Sequence, residues 1–428
     1  MKRTLKIAVS AFLTAAAVTL SLASSASAAD TGLLGDVNND GKVTSSDSLM
    51  VLRHSVKAQL LSDTAAKYAD FDGNGQITAA DALLILRKAV GADEEMSIYV
   101  PSQLKLQCGD RTDLDVTVTP ASKAGDITFQ YTLDKAISTD GSGEHVLEMT
   151  NLGKIKAYHP GTSVVTVKAS NGETFKCTVT VENTTTSQTV TAGGNSLKIT
   201  RQMMTRNDCY KYSDDYNIKG IVVHSTATPG VKAATWYAAW NKSYEKGEIG
   251  TEVAVHAFLD DEGVYQYLPY EQQGWHVGGS ANRTHIGFEI CEPSGFYYSN
   301  NIITGYNVNA QQAYFDKIWK NSTTYCAYLC NEYDLSVDNI ISHKEANTLG
   351  LGSAHGDPDH WFILHGKTMN DFRSSVRALL NSRSGVTVSE SIEVPEIDIQ
   401  SSGSPFDGTV PEFDMFDVWG DNSRSLRD

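Results

Sequence analysis

The chain has 428 residues, room for about three domains at roughly 150 residues each. Its 35 basic and 51 acidic side chains leave a formal charge of −16, which excludes a nucleic-acid binder gripping phosphates with a basic face. With 41% hydrophobic and 20% charged residues the composition is that of folded domains rather than a disordered chain. The 11 histidines are uneven, and eight fall between His224 and His365.

The first residues, Met1-Lys2-Arg3-Thr4-Leu5-Lys6, precede an apolar run from Ile7 to about Leu22 and then Ala26-Ser27-Ala28. A basic start, an apolar stretch and a small-x-small site predict a signal peptide over 1–28 and a secreted product. Its removal takes Lys2, Arg3 and Lys6 and moves the charge from −16 to −19. No later run reaches the length of a membrane span, so no membrane anchor is expected. The six cysteines lack zinc-site spacing. They are expected as small buried hydrophobes, although Cys108 and Cys177 are placed where they could bridge.

Residues 30–91 hold an internal repeat, Gly35–Asp47 and Ala69–Asp81. Each copy is a twelve-residue loop of the EF-hand kind. Oxygen-bearing side chains stand at positions 1, 3, 5 and 12: Asp36, Asn38, Asp40 and Asp47, then Asp70, Asp72, Asn74 and Asp81. Gly41 and Gly75 fill position 6, where the chain must turn sharply. Lys42 and Gln76 would offer backbone carbonyls at position 7, and Thr44 and Thr78 stand at position 9. A hard cation wants this many oxygens, so two Ca2+ sites are expected. Aspartate at position 12 and the near absence of an entering helix set the pair apart from a true EF-hand. In these respects the segment resembles type I dockerins, calcium-folded modules that bind cohesin domains of a scaffoldin. The resemblance implies a small α fold and a cohesin partner contacted through Ser45, Ser46 and Arg53 in one copy and Ala79, Ala80 and Arg87 in the other.

From 96 to 183 short alternating stretches such as Val164-Val165-Thr166-Val167 are separated by turns at Asp140-Gly141 and Asn171-Gly172. They predict an all-β sandwich. The run Gly161–Val167 resembles bacterial Ig-like domains, and a spacer is the expected role, with sugar or wall binding as the alternative. The Thr/Ser/Gly-rich stretch 184–199 is expected to be a linker.

Residues 200–383 carry the chemistry. An apolar strand ends on His224, a second ends on His343, and His355-Gly356-Asp357-Pro358-Asp359-His360 follows. Two histidines and a loop carboxylate are what a hydrolytic Zn2+ needs, with a fourth position left for water. On residue type alone Asp357 and Asp359 both qualify as the third ligand. The ordered segments Val223-His224-Ser225-Thr226, Ala254–Phe258, Gly274–Gly278, Ile286-Gly287-Phe288-Glu289, Ser342-His343 and His355-Gly356-Asp357 resemble the zinc N-acetylmuramoyl-L-alanine amidases, relatives of peptidoglycan recognition proteins and phage lysozyme-type amidases. The resemblance implies an α/β domain, a mixed sheet flanked by helices, with one of them over Gln311–Tyr333. It makes His224, His343 and Asp357 the ligands of one catalytic zinc, Glu289 a general base or water-positioning group and His355 the oxyanion donor. Trp275 and His276 would line the substrate groove, and Val255-His256 stands where some relatives have a tyrosine. His285, His360 and His365 are expected to be structural. The implied reaction is hydrolysis of the peptidoglycan amide between N-acetylmuramic acid and L-alanine, by a chain that is monomeric apart from docking. The alternative is a non-catalytic peptidoglycan-binding module on a scaffold.

Residues 384–428 carry ten acids against Arg424 and Arg427, with Phe406, Phe413, Phe416 and Trp419 among them. A disordered tail is expected.

Overall fold

A computed structural model of the chain describes residues 32–92, 96–212, 216–389 and 392–393. The expected signal peptide and the acidic segment from 394 onward lie outside the described residues. The chain divides into two compact units: one runs to Ser97 and takes in Val118–Gly125, and the other holds Ile98–Thr117 and everything from Asp126.

In the first unit each repeat loop runs into a helix, α1 (Ser45–Ser55) or α3 (Ala79–Ala89). Thr44 and Thr78 cap these helices reciprocally with Asp47 and Asp81. The position-12 aspartates therefore close each loop as well as starting each helix. Asp47 accepts from the Val37, Asn38 and Thr44 N–H groups at 2.9, 3.0 and 2.9 Å. Asp81 repeats this with Phe71, Asp72 and Thr78. Burial alone would raise both carboxyl pKa values, but these donors outweigh it and hold them below the ordinary range. Gly41 and Gly75 adopt φ of +86° and +82°, the turn that the loop requires. A seven-residue helix, α2 (Asp63–Ala69), enters the second loop. Its sequence has too short an apolar stripe to announce it. Val37, Val51, Ala69, Ala82 and Ile85 form the small core.

Two sheets of the second unit are built from seven strands: β1 (Gln103–Gln107), β2 (Arg111–Asp113), β3 (Phe129–Leu133), β4 (Leu147–Met149), β5 (Lys154–Ala157), β6 (Gly161–Ala169) and β7 (Thr174–Glu182). They make a four-stranded sheet, β1-β7-β6-β3, and a three-stranded sheet, β2-β5-β4. Alternate valines of β6 and β7 face inward, as the period-2 pattern requires.

This region is not a spacer held at a distance. Val146, Val165 and Val179 share one apolar core with Met203, Tyr210 and Trp236 of the following domain. Arg201 donates to Asp110 and to the Cys108 carbonyl, each at 2.9 Å. Asn183 exchanges two hydrogen bonds with the Met203 backbone, at 2.7 and 3.0 Å. All six cysteines are buried free thiols, and Cys108 and Cys177 are not bridged.

The expected linker is folded. Residues 186–201 form a hairpin, β8 (Thr186–Ala192) and β9 (Asn195–Arg201), turning on Gly193-Gly194 at φ +57° and +84°. Its threonines are β-branched strand formers, and Val190 and Ala192 are fully buried, so composition misled where alternation did not. The hairpin joins a mixed sheet with β10 (Gly220–Ser225), β11 (Ala257–Leu259), β12 (Val264–Gln266), β13 (His285–Ile290), β14 (Ile340–Ser342), β15 (Val386–Val388) and β16 (Ile392–Glu393). The order is β14-β10-β13-β11-β12-β9-β8-β15, with β16 also on β8. The first residues of the expected disordered tail thus complete a sheet edge, since Val386-Thr387-Val388 alternates as a strand should. Helices α4 (Val308–Tyr333) and α6 (Met369–Leu380) cover one face, with Phe315, Ile318, Tyr325, Leu329, Phe372 and Val376 buried against Ile221, Val223 and Phe288. A shorter helix, α5 (His343–Thr348), follows β14.

Replacing Arg201 with alanine is expected to cost about 2 kcal/mol, because it strips the Asp110 carboxylate and the Cys108 carbonyl of a charged donor. The urea midpoint of the second unit should fall; an unchanged midpoint would show that the two β regions are independently stable.

Candidate metal centre

β10, β13 and β14 are parallel neighbours, and each delivers one functional side chain at its carboxyl end. β10 and β13 pair in register His224↔Glu289 and Val222↔Gly287, so His224, Glu289 and Gly287 share a face. That face is opposite the α4–α6 layer, which takes the intervening Val223 and Phe288. β14 ends at Ser342, which caps α5, and His343 is the first helical residue. The loop after α5 returns Asp357 to the same place.

His224, His343 and Asp357 are 1%, 1% and 3% exposed. His224 Nδ1 lies 3.1 Å from His343 Nδ1 and 3.2 Å from Asp357 Oδ2, and His343 Nδ1 lies 3.4 Å from Asp357 Oδ1. Ligands about 2.0–2.1 Å from a tetrahedral zinc stand about 3.3 Å apart, so these spacings suit one such ion. The Ser225 N–H also donates to Asp357 Oδ2 at 3.3 Å. Burial would raise the Asp357 pKa, but His343 and His224 beside it hold the carboxyl well below its ordinary value. His343 is pushed well down by burial, so it is a neutral donor. Asp357 Oδ1 and Glu289 Oε2 are buried without a hydrogen-bond partner among the described residues, which also fits a cation and its water. Glu289 is 3% exposed, and burial followed by the charges of Asp357 and Glu292 pushes its pKa well above the usual carboxylate range. His355 packs on His343 with ring centroids 4.3 Å apart. Asp359, the competing carboxylate, opens the next short helix and bonds to Ser342 instead.

Two sequence-predicted residues lie elsewhere than expected. Trp275 and His276 are each 2% exposed and cannot line an open groove. Trp275 packs in the apolar core, and His276 lies behind His224, Nδ1 to Nε2 at 2.9 Å. Ser353, which sequence reasoning missed, stands 3.1 Å from His343 Nε2. A lone serine in a glycine-rich loop gives no signal of this. The three remaining histidines meet ordinary partners: His285 the Thr284 hydroxyl, His360 the Tyr298 hydroxyl and His365 the Tyr306 hydroxyl.

In the dockerin-like unit the carboxylates of Asp70, Asp72 and Asp81 offer oxygens within 4.8 Å of one another. Asp36 accepts from the Asp40 and Gly41 N–H groups at 3.1 and 2.8 Å, and Asp70 from Asn74 and Gly75 at 3.1 and 2.8 Å. The two loops therefore fold alike around their first aspartate. Ser45, Ser46, Arg53, Ala79, Ala80 and Arg87 are all exposed.

Strand ends that bring two histidines and a buried glutamate together with a loop aspartate make a site whose donor set suits metal-assisted hydrolysis. Residues 214–360 match the model of the N-acetylmuramoyl-L-alanine amidase family, and residues 34–88 match that of the dockerin type I domain. These two stretches are what the chain has in common with that amidase family and with type I dockerins. The chain is 34% identical over 127 residues to N-acetylmuramoyl-L-alanine amidase XlyA of Bacillus subtilis, covering 29% of this chain and 36% of that protein. To amidase CwlH of the same organism it is 29% identical over 157 residues, covering 35% and 53%. It thus spans from about a third to about half of these relatives' length. The solved catalytic domain of XlyA matches at 26% identity and a TM-score of 0.28, covering 39% of this chain and 90% of that one. The hydrolase AmiA of Staphylococcus aureus matches at 21% and 0.32, covering 39% and 78%.

His256 provides a pH test of this domain. Its Nδ1 accepts from the Gly287 N–H at 3.0 Å and its Nε2 faces the Gln272 carbonyl at 2.8 Å, an arrangement that requires the neutral ring. Burial pushes its pKa down to about 4. The unfolded chain, with histidine near 6.5, binds the extra proton first as pH falls. Stability should be full above pH ~6.5 and fall by up to roughly 3 kcal/mol towards pH ~4. Thermal melts of the parent and His256→Asn across that window should show a flatter slope in the variant.

Proposed function

We propose that the chain is a secreted peptidoglycan hydrolase that cleaves the amide between N-acetylmuramic acid and L-alanine, and that it is held on a cohesin-bearing scaffold by its dockerin. The observation that carries this reading is the buried convergence of His224, His343 and Asp357 beside Glu289. Zinc, when bound by those three residues, supplies a Lewis acid for the carbonyl and lowers the pKa of water towards about 7. Glu289, with its unpartnered Oε2, is placed to take the proton of the attacking water and pass it to the leaving amine. His355, packed against His343, is placed to donate an N–H to the developing oxyanion. The Ser225 N–H holds Asp357 in the orientation that the site uses.

The dockerin reading adds two Ca2+ ions. One is held by Asp36, Asn38, Asp40, the Lys42 carbonyl and Asp47, and the other by Asp70, Asp72, Asn74, the Gln76 carbonyl and Asp81. The two exposed helix starts form cohesin faces that differ, serines in one copy and alanines in the other. The seven strands of the middle region are read as an Ig-like sandwich.

Mass spectrometry of muropeptides released from purified sacculi tests the reaction. Free stem peptides beginning with L-alanine are expected, and a chelator should abolish them; cleaved glycan would overturn the assignment. Glu289→Gln should retain zinc and lose about 10²–10⁴-fold in kcat, and undiminished turnover would remove Glu289 from its role. For docking, Ser45→Asp/Ser46→Asp and Ala79→Asp/Ala80→Asp should weaken cohesin binding unequally; equal losses would mean that the faces are interchangeable.

A further inference from the structure

The zinc reading above fixes which atoms should bind metal, and the buried surroundings of the two histidines go further. We propose that His276 and Ser353 are positioning residues that set the tautomers of His224 and His343, and that Gly287 is glycine because the His276 ring occupies the place of its side chain.

The first hydrogen-bond chain ends on an oxygen that can only accept. His276 Nε2 faces the His285 carbonyl at 3.4 Å, so that nitrogen carries the proton. His276 Nδ1 is then the bare acceptor, and it lies 2.9 Å from His224 Nε2, which must donate. With its proton on Nε2, His224 presents a bare Nδ1, the atom that faces His343 and Asp357 at 3.1 and 3.2 Å. The second histidine is set in the same way. The Ser353 hydroxyl donates to the Val277 carbonyl at 3.0 Å, which leaves its lone pair to accept from His343 Nε2 at 3.1 Å. His343 Nδ1 is therefore bare as well. Two independent hydrogen-bond chains, each ending on a backbone carbonyl, thus aim two lone pairs at one point. The other tautomer of either ring would place an N–H where a cation must sit.

Space enforces the first chain. A Cβ on Gly287 would stand 2.4 Å from His276 Nδ1 and 2.5 Å from Cε1, and one on Gly274 would stand 2.7 Å from Cδ2. The ring is seated in a slot made by two missing side chains. Gly287 shares its face with His224 and Glu289 through the β10–β13 register. The Ile-Gly-Phe-Glu run thereby carries both the carboxylate and the clearance for the histidine behind the ligand.

Zinc affinity of the full chain, measured by competition with a chromophoric chelator, tests this. His276→Phe keeps a ring and removes the acceptor, and should weaken zinc about 10–100-fold. Gly287→Ala should weaken it comparably with His276 intact, and the double variant should lose little more than either alone. Ser353→Ala should weaken zinc through His343; its loop position makes it the decisive variant if the sheet substitutions fail to fold, as judged by circular dichroism of the metal-free chain. Affinities within twofold of the parent overturn the proposal. If the parent itself binds no zinc at one per chain, the catalytic reading fails instead, so the two failures are distinguishable.

Discussion

Two imidazole nitrogens and a carboxylate lie 3.1 to 3.4 Å apart inside a site that water barely reaches. Taking a carboxylate out of water is costly unless a positive charge compensates it, and neutral histidines supply lone pairs rather than charge. A bound cation would resolve this, and would account for three strand ends and a loop return converging on one point. The opposite face of the sheet is an ordinary apolar layer, in which Val223 and Phe288 pack under α4. The parallel β10–β13 register converts that packing into chemistry. Once the apolar residues take one face, His224 and Glu289 must share the other.

The same logic runs through the dockerin loops on a smaller scale. Asp47 and Asp81 are fully buried carboxylates, each compensated by three backbone N–H groups and a threonine hydroxyl. Their core is five small apolar side chains, too little to order two Asp-rich loops alone. Calcium, once bound, would supply the rest and couple folding to metal binding there.

The site was legible in the sequence where a residue type is rare and its placement abrupt, as with a histidine closing an apolar strand or an Asp-Asn-Asp ladder ending in Gly. The repeat revealed itself by register alone. The linker was misread because threonine and serine were weighed as polar filler, whereas Val190 and Ala192 were the informative residues. His276 was misplaced for a different reason. Its neighbour Trp275 is aromatic and wall-lining aromatics are common, but burial depends on what β13 does nine to thirteen residues later. Ser353 could not have been found at all, since its role exists only through a carbonyl 76 residues away.

The shared core between the middle sheets and the amidase domain bears on what docking can achieve. A catalytic domain on a flexible spacer would sample its surroundings independently of whatever the spacer touches. Here Arg201, Asn183 and Tyr210 join the β region to the sheet that holds the site through hydrogen bonds and one shared apolar core. Any ligand that the β region took would bear on the orientation of the site as well as on its local concentration.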